Sequence, residues 1–385
     1  MSEISFLNGD TLMINKEISN KRLNEIFTTA IKGYHDNTDQ KSRHWEVWYN
    51  SISKFKNENN LINFRRQGNL SSGLDGSKDN FLFKFVFDLT RELGEEFVIK
   101  NLPKKNIGNS DFSYRLLGYY FDYNNLLHIH FFKDLCNYVF KENNIKHICE
   151  IGGGYGSLSG IILNNYNCKL ISIDLPEANL MASYYLKENF KNKRFYLYDD
   201  YQKENTLSLK SFEENDIFIL PPWVKFDERI KIDLFVNTRS MMEMNAGVIK
   251  KYFNFIHNHI ESDGFFLNIN RYEKKTTGYK IRISEYPYDR NWKVVVSKQS
   301  YMQPQLHFLL TQRTINDFKK NIIDELNIID KLRKERLKRE LKERIINCVS
   351  NRLIRITRKL LGSCPSWLIN FMTFLDGNRK KTYMP

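Results

Sequence analysis

The sequence predicts an α/β protein: a Rossmann-like sheet, with a helical region ahead of it and a basic helical tail behind it. Three observations carry this expectation. From residue 146, short β-branched runs alternate with helical stretches, the pattern of a parallel sheet covered by helices on both faces. A glycine-rich turn, Gly152-Gly153-Gly154-Tyr155-Gly156, follows the first run and opens a helix. An acid, Asp174, lies at the end of the second run, 22 residues past Gly152.

The elements follow in order. Segments 17–34, 41–56, 81–93 and 125–143 carry apolar residues at three- and four-residue spacing, which predicts helices. Turn-rich stretches at 69–80 and 102–111 separate them. Strands are predicted at 147–152 and 169–175, with helices at 157–165 and 177–190. Further strands are expected at 194–198, 216–223, 233–238 and 264–270, the last after a helix at 246–260. Runs 292–300 and 306–313 have no helix between them and are expected to pair as an antiparallel hairpin at one edge. The chain divides on this reading into a helical cap or substrate region at 1–145, a Rossmann-like domain at 146–315 and a basic tail at 316–385.

Composition bounds the function classes. With 41% hydrophobic and 14% aromatic residues, the chain can fill a sizeable core, which excludes wholesale disorder. No uncharged apolar run is long enough to span a bilayer, and the N-terminus lacks the pattern of a secretory signal. Five scattered cysteines without CxxC or Cys/His spacing predict reduced thiols, a cytosolic location and no metal site. The net charge of +14 is uneven: residues 331–385 hold 15 Lys and Arg against 4 Asp and Glu, while the first 330 hold 44 against 41. The basic character belongs to the tail.

Glycines in a strand-to-helix turn let the backbone approach a ligand and leave helix N–H groups free to meet it. The dinucleotide spacing G-x-G-x-x-G fails here, because its third glycine would fall at Ser157 or Ser159. The spacing present is G-x-G-x-G with an acid, Glu150, two residues ahead, as in S-adenosylmethionine-dependent methyltransferases. Asp174 is placed to accept hydrogen bonds from both hydroxyls of a ribose. Its plainer alternative is a cap on the next helix, with Pro176 in the first turn.

EIGGGYGSLSGIIL followed by IDLPEANLMASYYL resembles the bacterial sugar O-methyltransferases of surface-polysaccharide loci. More distantly, it is similar to small-molecule O-methyltransferases with a D-x-GGG-x-G…DLP signature. The similarity runs over roughly 147–272 and includes DLFVNTRSMMEM, where the sugar group shows N-x-x-S-x-x-E-M. The resemblance implies a class I methyltransferase fold, bound S-adenosyl-L-methionine and methyl transfer to a sugar hydroxyl. The cofactor candidates are Glu150, Gly152, Gly153, Gly154, Gly156, Asp174 and Leu175, with Asn237 at the end of DLFVNT. Pro222 and Trp223 join them, in the loop where relatives hold the adenine. ILPPW also approaches the D/N-P-P-Y/F/W motif of amino-methyltransferases acting on nucleic-acid bases, but its first position is Leu220, which accepts no hydrogen bond.

A sugar hydroxyl is a poor nucleophile at neutral pH, so a positioned base is expected to take its proton. The small-molecule group has a histidine after its fourth strand; here Met242 stands there, with Glu243 next and Asn245 at the helix N-cap. Glu243 becomes the catalytic candidate, against the plainer reading of a solvated first-turn acid. His307, opening a late strand, is the second candidate, against the favoured reading of a satisfied core or surface histidine; His257 and His259 read as structural. Residues Glu285, Tyr286, Tyr288, Asp289 and Arg290 suit either a sugar-facing loop or an ordinary solvated connection.

In the tail, apolar residues recur mostly every fourth position from 332 to 360 with Lys and Arg between them, and the aromatic stretch SCPSWLINFMTFL follows at 363–375. A basic amphipathic helix with an aromatic patch suits an anionic membrane surface, or a partner in an assembly complex, through residues 331–375. It equally suits packing on the protein's own body. Nucleic acid is not expected, because no nucleic-acid module accompanies the charge. The leading expectation is a sugar O-methyltransferase of the cytoplasm, peripheral on the inner membrane, with a carbohydrate acceptor. The alternative is a non-catalytic subunit of a polysaccharide-assembly complex that keeps the fold.

Overall fold

The computed structural model describes residues 19–35, 58–66, 80–276, 278–314 and 321–338. Two compact units divide the chain at 326/327. The N-terminal helices and the sheet share the first unit and one apolar core, which runs from Leu23 and Phe27 through Leu126 and Ile129 to Leu306 and Leu310. The helix expected at 41–56 and the tail beyond 338 lie outside the described residues. Residues 322–338 are helical.

The helices ahead of the sheet are α1 (Asn20–His35), α2 (Glu58–Ile62), α3 (Asn80–Leu93) and α4 (Glu95–Asn101). A small hairpin, β1 (Tyr114–Leu116) and β2 (Tyr119–Phe121), then leads into α5 (Tyr123–Leu135). This hairpin was not expected in a region read as helical. Helix α5 ends in a single π turn, Cys136–Phe140, instead of running unbroken to 143.

The sheet begins with β3 (His147–Ile151), α6 (Ser157–Asn165), β4 (Lys169–Ile173) and α7 (Pro176–Asn189). Next come β5 (Phe195–Tyr196), α8 (Tyr198–Glu204), α9 (Leu209–Glu214), β6 (Ile217–Leu220), β7 (Ile232–Thr238) and α10 (Ala246–His259). The long β8 (Ile260–Arg271), a second small hairpin of β9 (Glu273–Thr276) and β10 (Tyr279–Arg282), then β11 (Trp292–Gln299) and β12 (Leu306–Arg313) complete it. The eight main strands lie in the order β11-β12-β8-β7-β3-β4-β6-β5. Strands β5 to β8 run parallel to β3, and β12 runs antiparallel between β8 and β11. This is the Rossmann-like architecture the sequence predicts. Both faces are covered, so β3, β4 and β6 are almost continuously buried and read as apolar runs rather than alternations.

Two features of this topology position a site. The chain leaves β3 toward β4 on one side and later returns to pair β7 on the other, which opens a crevice at the C-terminal ends of those strands. Helix α5 is fixed beside that crevice by Asp122, its fully buried N-cap, which accepts the Asn125 N–H at 2.9 Å, the Ser113 hydroxyl at 2.9 Å and the Arg65 guanidinium. Arg65 is also buried, and its guanidinium stands over the Tyr155 ring. The pair ties α2, α5 and the glycine turn together.

Removing one partner of a buried ion pair leaves an uncompensated charge, at a cost of about 3–5 kcal/mol. Asp122→Ala is therefore expected to lower the chemical denaturation midpoint strongly. The double variant Arg65→Met with Asp122→Asn keeps a capping side chain without the orphaned charge, and should cost less than the single one.

Candidate functional site

The glycine turn connects β3 to α6 at the crevice. Gly152 (φ 71°) and Gly154 (φ 61°) lie in the left-handed region. At Gly152, space decides as well: a Cβ there would stand 1.8 Å from the Ser240 hydroxyl oxygen, so the segment after β7 abuts the turn. A Cβ at Gly153 would meet the Glu150 carboxylate at 2.7 Å. Gly156, also left-handed, caps α6 and aims that helix's N-terminus at the crevice.

Asp174 holds the turn from the neighbouring strand. Its two carboxylate oxygens accept the Gly154 N–H at 2.8 Å and its neighbour Leu175's N–H at 2.7 Å. Leu175 itself N-caps α7, with Pro176 in the first position. Burial pushes Asp174 up to about 6, the two amide donors pull it down, and the charge of Glu243 adds to the rise. Glu150 lies beneath the turn and accepts the Ser159 hydroxyl. Burial, with Asp174's charge as a smaller contribution, takes Glu150 up to about 7.

Beside Asp174, a cavity of about 120 Å³ is lined by Ile173, Pro222, Val224, Lys251, Tyr252 and Phe255, between the ends of β4 and β6 and helix α10. Pro222 is part of its lining, and Trp223 is not: the Trp223 indole N–H donates to the Tyr198 hydroxyl at 3.1 Å, and its ring meets Tyr198 edge-on, near Gly33 of α1. Asn237 is engaged inside the sheet. It is fully buried, donates to the Ile151 carbonyl at 2.7 Å and accepts from the Met241 N–H and from Asn270. Asn270 in turn receives the Met242 N–H at 3.0 Å and donates to Asn268, which reaches the Tyr288 hydroxyl. This amide ladder across β7 and β8 carries the short turn Met241–Glu243.

That turn presents Glu243 to the crevice, close enough for its charge to act on Asp174 and Arg239. Its carboxylate accepts the Lys274 ammonium from β9, an element the sequence reading lacked. Asn245 caps α10 as expected, accepting the Val248 N–H at 2.9 Å. His307 lies at the same end of the sheet but is buried, with its ring nitrogens engaged by the hydroxyls of Tyr272 at 3.0 Å and Ser297 at 2.8 Å. The structure therefore does not bring His307 into the crevice.

The 285–290 segment is a packed connection rather than an open sugar-facing loop. Tyr286 and Tyr288 are buried against Phe253 of α10, and Asp289 pairs with Arg313. His257 accepts the Trp292 indole N–H and His259 contacts the Ile230 carbonyl, so both serve packing. Among the described residues, no cluster of three or more His, Cys, Asp or Glu could hold a metal ion. No described helix is long and apolar enough to cross a membrane.

Sequence reasoning missed the wall facing Glu243: Asn124 and His128 on α5, Arg239 directly after β7, and Lys274. One signal was available. Asn124 and His128, four residues apart, are polar positions on a single face of the helix.

No protein-family model and no curated protein matches the sequence. Among solved structures, the chain is similar to an S-adenosylmethionine-bound amino pentose methyltransferase of calicheamicin biosynthesis from Micromonospora echinaspora. That match has 7% identity and a TM-score of 0.33, over 49% of this chain and 92% of the other. A mutant of MtNAS in complex with S-adenosylmethionine matches at 11% identity and a TM-score of 0.32, over 77% and 98%. TehB from Haemophilus influenzae matches at 15% and 0.30, over 47% and 62%. Likenesses this distant decide nothing about the chemistry of this chain.

The two buried acids make a pH prediction. Glu150 ionises near 4.5 when unfolded and about 7 when folded. Within that window the native state holds a proton the unfolded chain has released, so stability falls as pH rises through it. Relative to Glu150→Gln, which mimics the protonated acid, the wild type should lose thermal stability between about pH 5 and about pH 8. Parallel melting curves for the two proteins across that range would count against the assignment.

Proposed function

We propose that this chain is a class I S-adenosylmethionine-dependent methyltransferase that methylates a sugar hydroxyl of a bacterial surface polysaccharide or its precursor. The observation that carries the cofactor half is the glycine turn clasped by Asp174 at the crevice between β3, β4 and β7. Asp174 spends one bond per oxygen on the Gly154 and Leu175 amides, and its remaining lone pairs suit two ribose hydroxyls. The cavity bounded by Ile173, Pro222 and Tyr252 suits the adenine. The N-terminus of α6, opened at Gly156, suits the rest of the molecule.

S-adenosylmethionine supplies an electrophilic methyl carbon on a sulfonium; once a hydroxyl oxygen takes it, the C–S electron pair stays on sulfur and a proton is left over. Glu243 is the residue assigned to that proton. It stands on a turn held by Asn237 and Asn270, across from Asp174, and Lys274 orients its carboxylate. The sugar acceptor rests on the sequence resemblance and on this carboxylate. One observation favours the non-catalytic alternative: the Lys274 ammonium already occupies the Glu243 carboxylate.

Calorimetry and a methyl-transfer assay separate the roles. Asp174→Ala should weaken binding of S-adenosylhomocysteine by about 1.5–3 kcal/mol, the scale of hydrogen bonds to a charged group. Glu243→Gln should leave that affinity intact and lower turnover about 10²-fold or more, as expected for loss of a general base. Turnover near normal in Glu243→Gln removes the residue from the reaction; no binding of the nucleoside by the wild type removes the enzyme reading.

The tail belongs to the same proposal as an attachment to an anionic membrane, where lipid-linked acceptors lie. Its support is the charge concentrated after residue 330 beside Trp367, Phe371 and Phe374. A chain ending at 326, the limit of the first compact unit, should bind S-adenosylhomocysteine normally. It should fail to co-sediment with anionic liposomes that capture the full-length protein at low salt. Equal capture of both proteins would refute the attachment.

A further inference from the structure

Arg239 follows β7 directly, with its backbone at φ 60°, a region a long side chain enters only when its surroundings impose it. Its N–H donates to the Ile269 carbonyl at 2.7 Å, and the next residue, Ser240, stands against Gly152. The guanidinium therefore projects from a backbone locked to the glycine turn. It donates to the Asn124 side-chain oxygen and lies 3.4 Å from His128 Nε2. Asn124 in turn donates to the hydroxyl of Tyr155, within the glycine turn itself, at 3.1 Å.

The donor and acceptor arithmetic of this group does not close. A guanidinium only donates, so His128 Nε2 faces it as an acceptor and the ring proton sits on Nδ1. Both His128 Nδ1 and Arg239 Nε are buried and have no hydrogen-bond partner among the described residues. Among the same residues, no carboxylate lies within ion-pair distance of Arg239; the nearby Glu243 is engaged by Lys274. Burial and the charge of Arg239 hold His128 well below its usual value, so the imidazole is neutral near pH 7. What remains is a cation and two buried N–H donors with nothing to receive them, a deficit that protein structures rarely leave unanswered.

We propose that Arg239 and His128, positioned by Asn124, form a carboxylate-binding subsite beside the glycine turn. A carboxylate supplies the acceptor oxygens these donors lack, and its charge answers the guanidinium. The inference rests on the methyl-transfer reading for what lies next to it. That setting provides two sources of a carboxylate: the amino-acid end of S-adenosylmethionine, or an acidic sugar as acceptor.

The test uses the full-length protein and calorimetry with S-adenosylhomocysteine, its carboxamide analogue, 5′-methylthioadenosine, glucuronate and glucose. The sugars are tested with and without S-adenosylhomocysteine. If the donor supplies the carboxylate, the acid binds about tenfold or more tightly than the amide. Arg239→Gln then abolishes that preference and leaves 5′-methylthioadenosine unaffected. If the acceptor supplies it, acid and amide bind alike, glucuronate binds where glucose does not, and Arg239→Gln removes the difference. The wild type alone can overturn the subsite: no preference for acid over amide, and none for glucuronate over glucose. Failure of all three nucleoside compounds to bind overturns the cofactor reading instead, and the subsite then stands or falls on the two sugars with the protein alone.

Discussion

Two carboxylates buried around one tight turn are the constraint to which the rest of this molecule conforms. Glu150 and Asp174 end adjacent strands, so the parallel register of β3 and β4 brings two negative charges together in low dielectric. Ser159 answers one, and the amides of Gly154 and Leu175 answer the other. The Gly154 amide turns inward where the backbone at Gly152 and Gly154 takes left-handed angles. The acids thus shape the turn, and the turn sets how closely the segment after β7 can approach.

Support for that segment comes from amides rather than charges. Asn237, Asn268 and Asn270 are fully buried on two parallel strands; Asn270 donates across to Asn237, and Asn268 joins Asn270 to Tyr288. A buried amide network of this kind specifies register, since a one-residue slip would strand every donor on the wrong face. It holds the turn of Glu243 on one side, while the Asp122–Arg65 pair holds α5 on the other. The crevice lies between two independently anchored walls.

The sheet was legible because its strands are buried on both faces and its helices carry caps. The runs at 147–152, 233–238 and 306–313 reappear within a residue or two, and Pro176 and Asn245 open their helices as their chemistry requires. The glycine turn and Asp174 were legible as neighbours because the parallel pairing of β3 and β4 brings an acid at that interval onto the Gly154 N–H. Asn237 and Trp223 show the limit. Asn237 lies near the end of β7 and Trp223 in the loop after β6, and the direction of each side chain depends on partners elsewhere, Asn270 for the first and Tyr198 for the second. Arg239, His128 and Lys274 come from three distant segments, and no spacing rule links them. The hairpin of β9 and β10 was invisible for another reason: Glu273–Thr276 has too few residues to establish an alternation.

The antiparallel placement of β12 has a further consequence. Because it runs against its neighbours, its first residues arrive at the same rim of the sheet as the last residues of β8. The connection before it therefore meets α5 there: Tyr301 stacks on His130, and Gln303 hydrogen-bonds Tyr123. The hairpin bearing Lys274 rises from that rim as well. The glycine turn and its two acids are thus built into β3, β4 and the residues that follow them, while the opposite wall is assembled from α5 and surface connections. Connections of this kind tolerate insertion and replacement far better than the strands they join. The architecture is modular in evolutionary terms: the wall facing the glycine turn can drift through these connections while the turn and its two acids stay as they are.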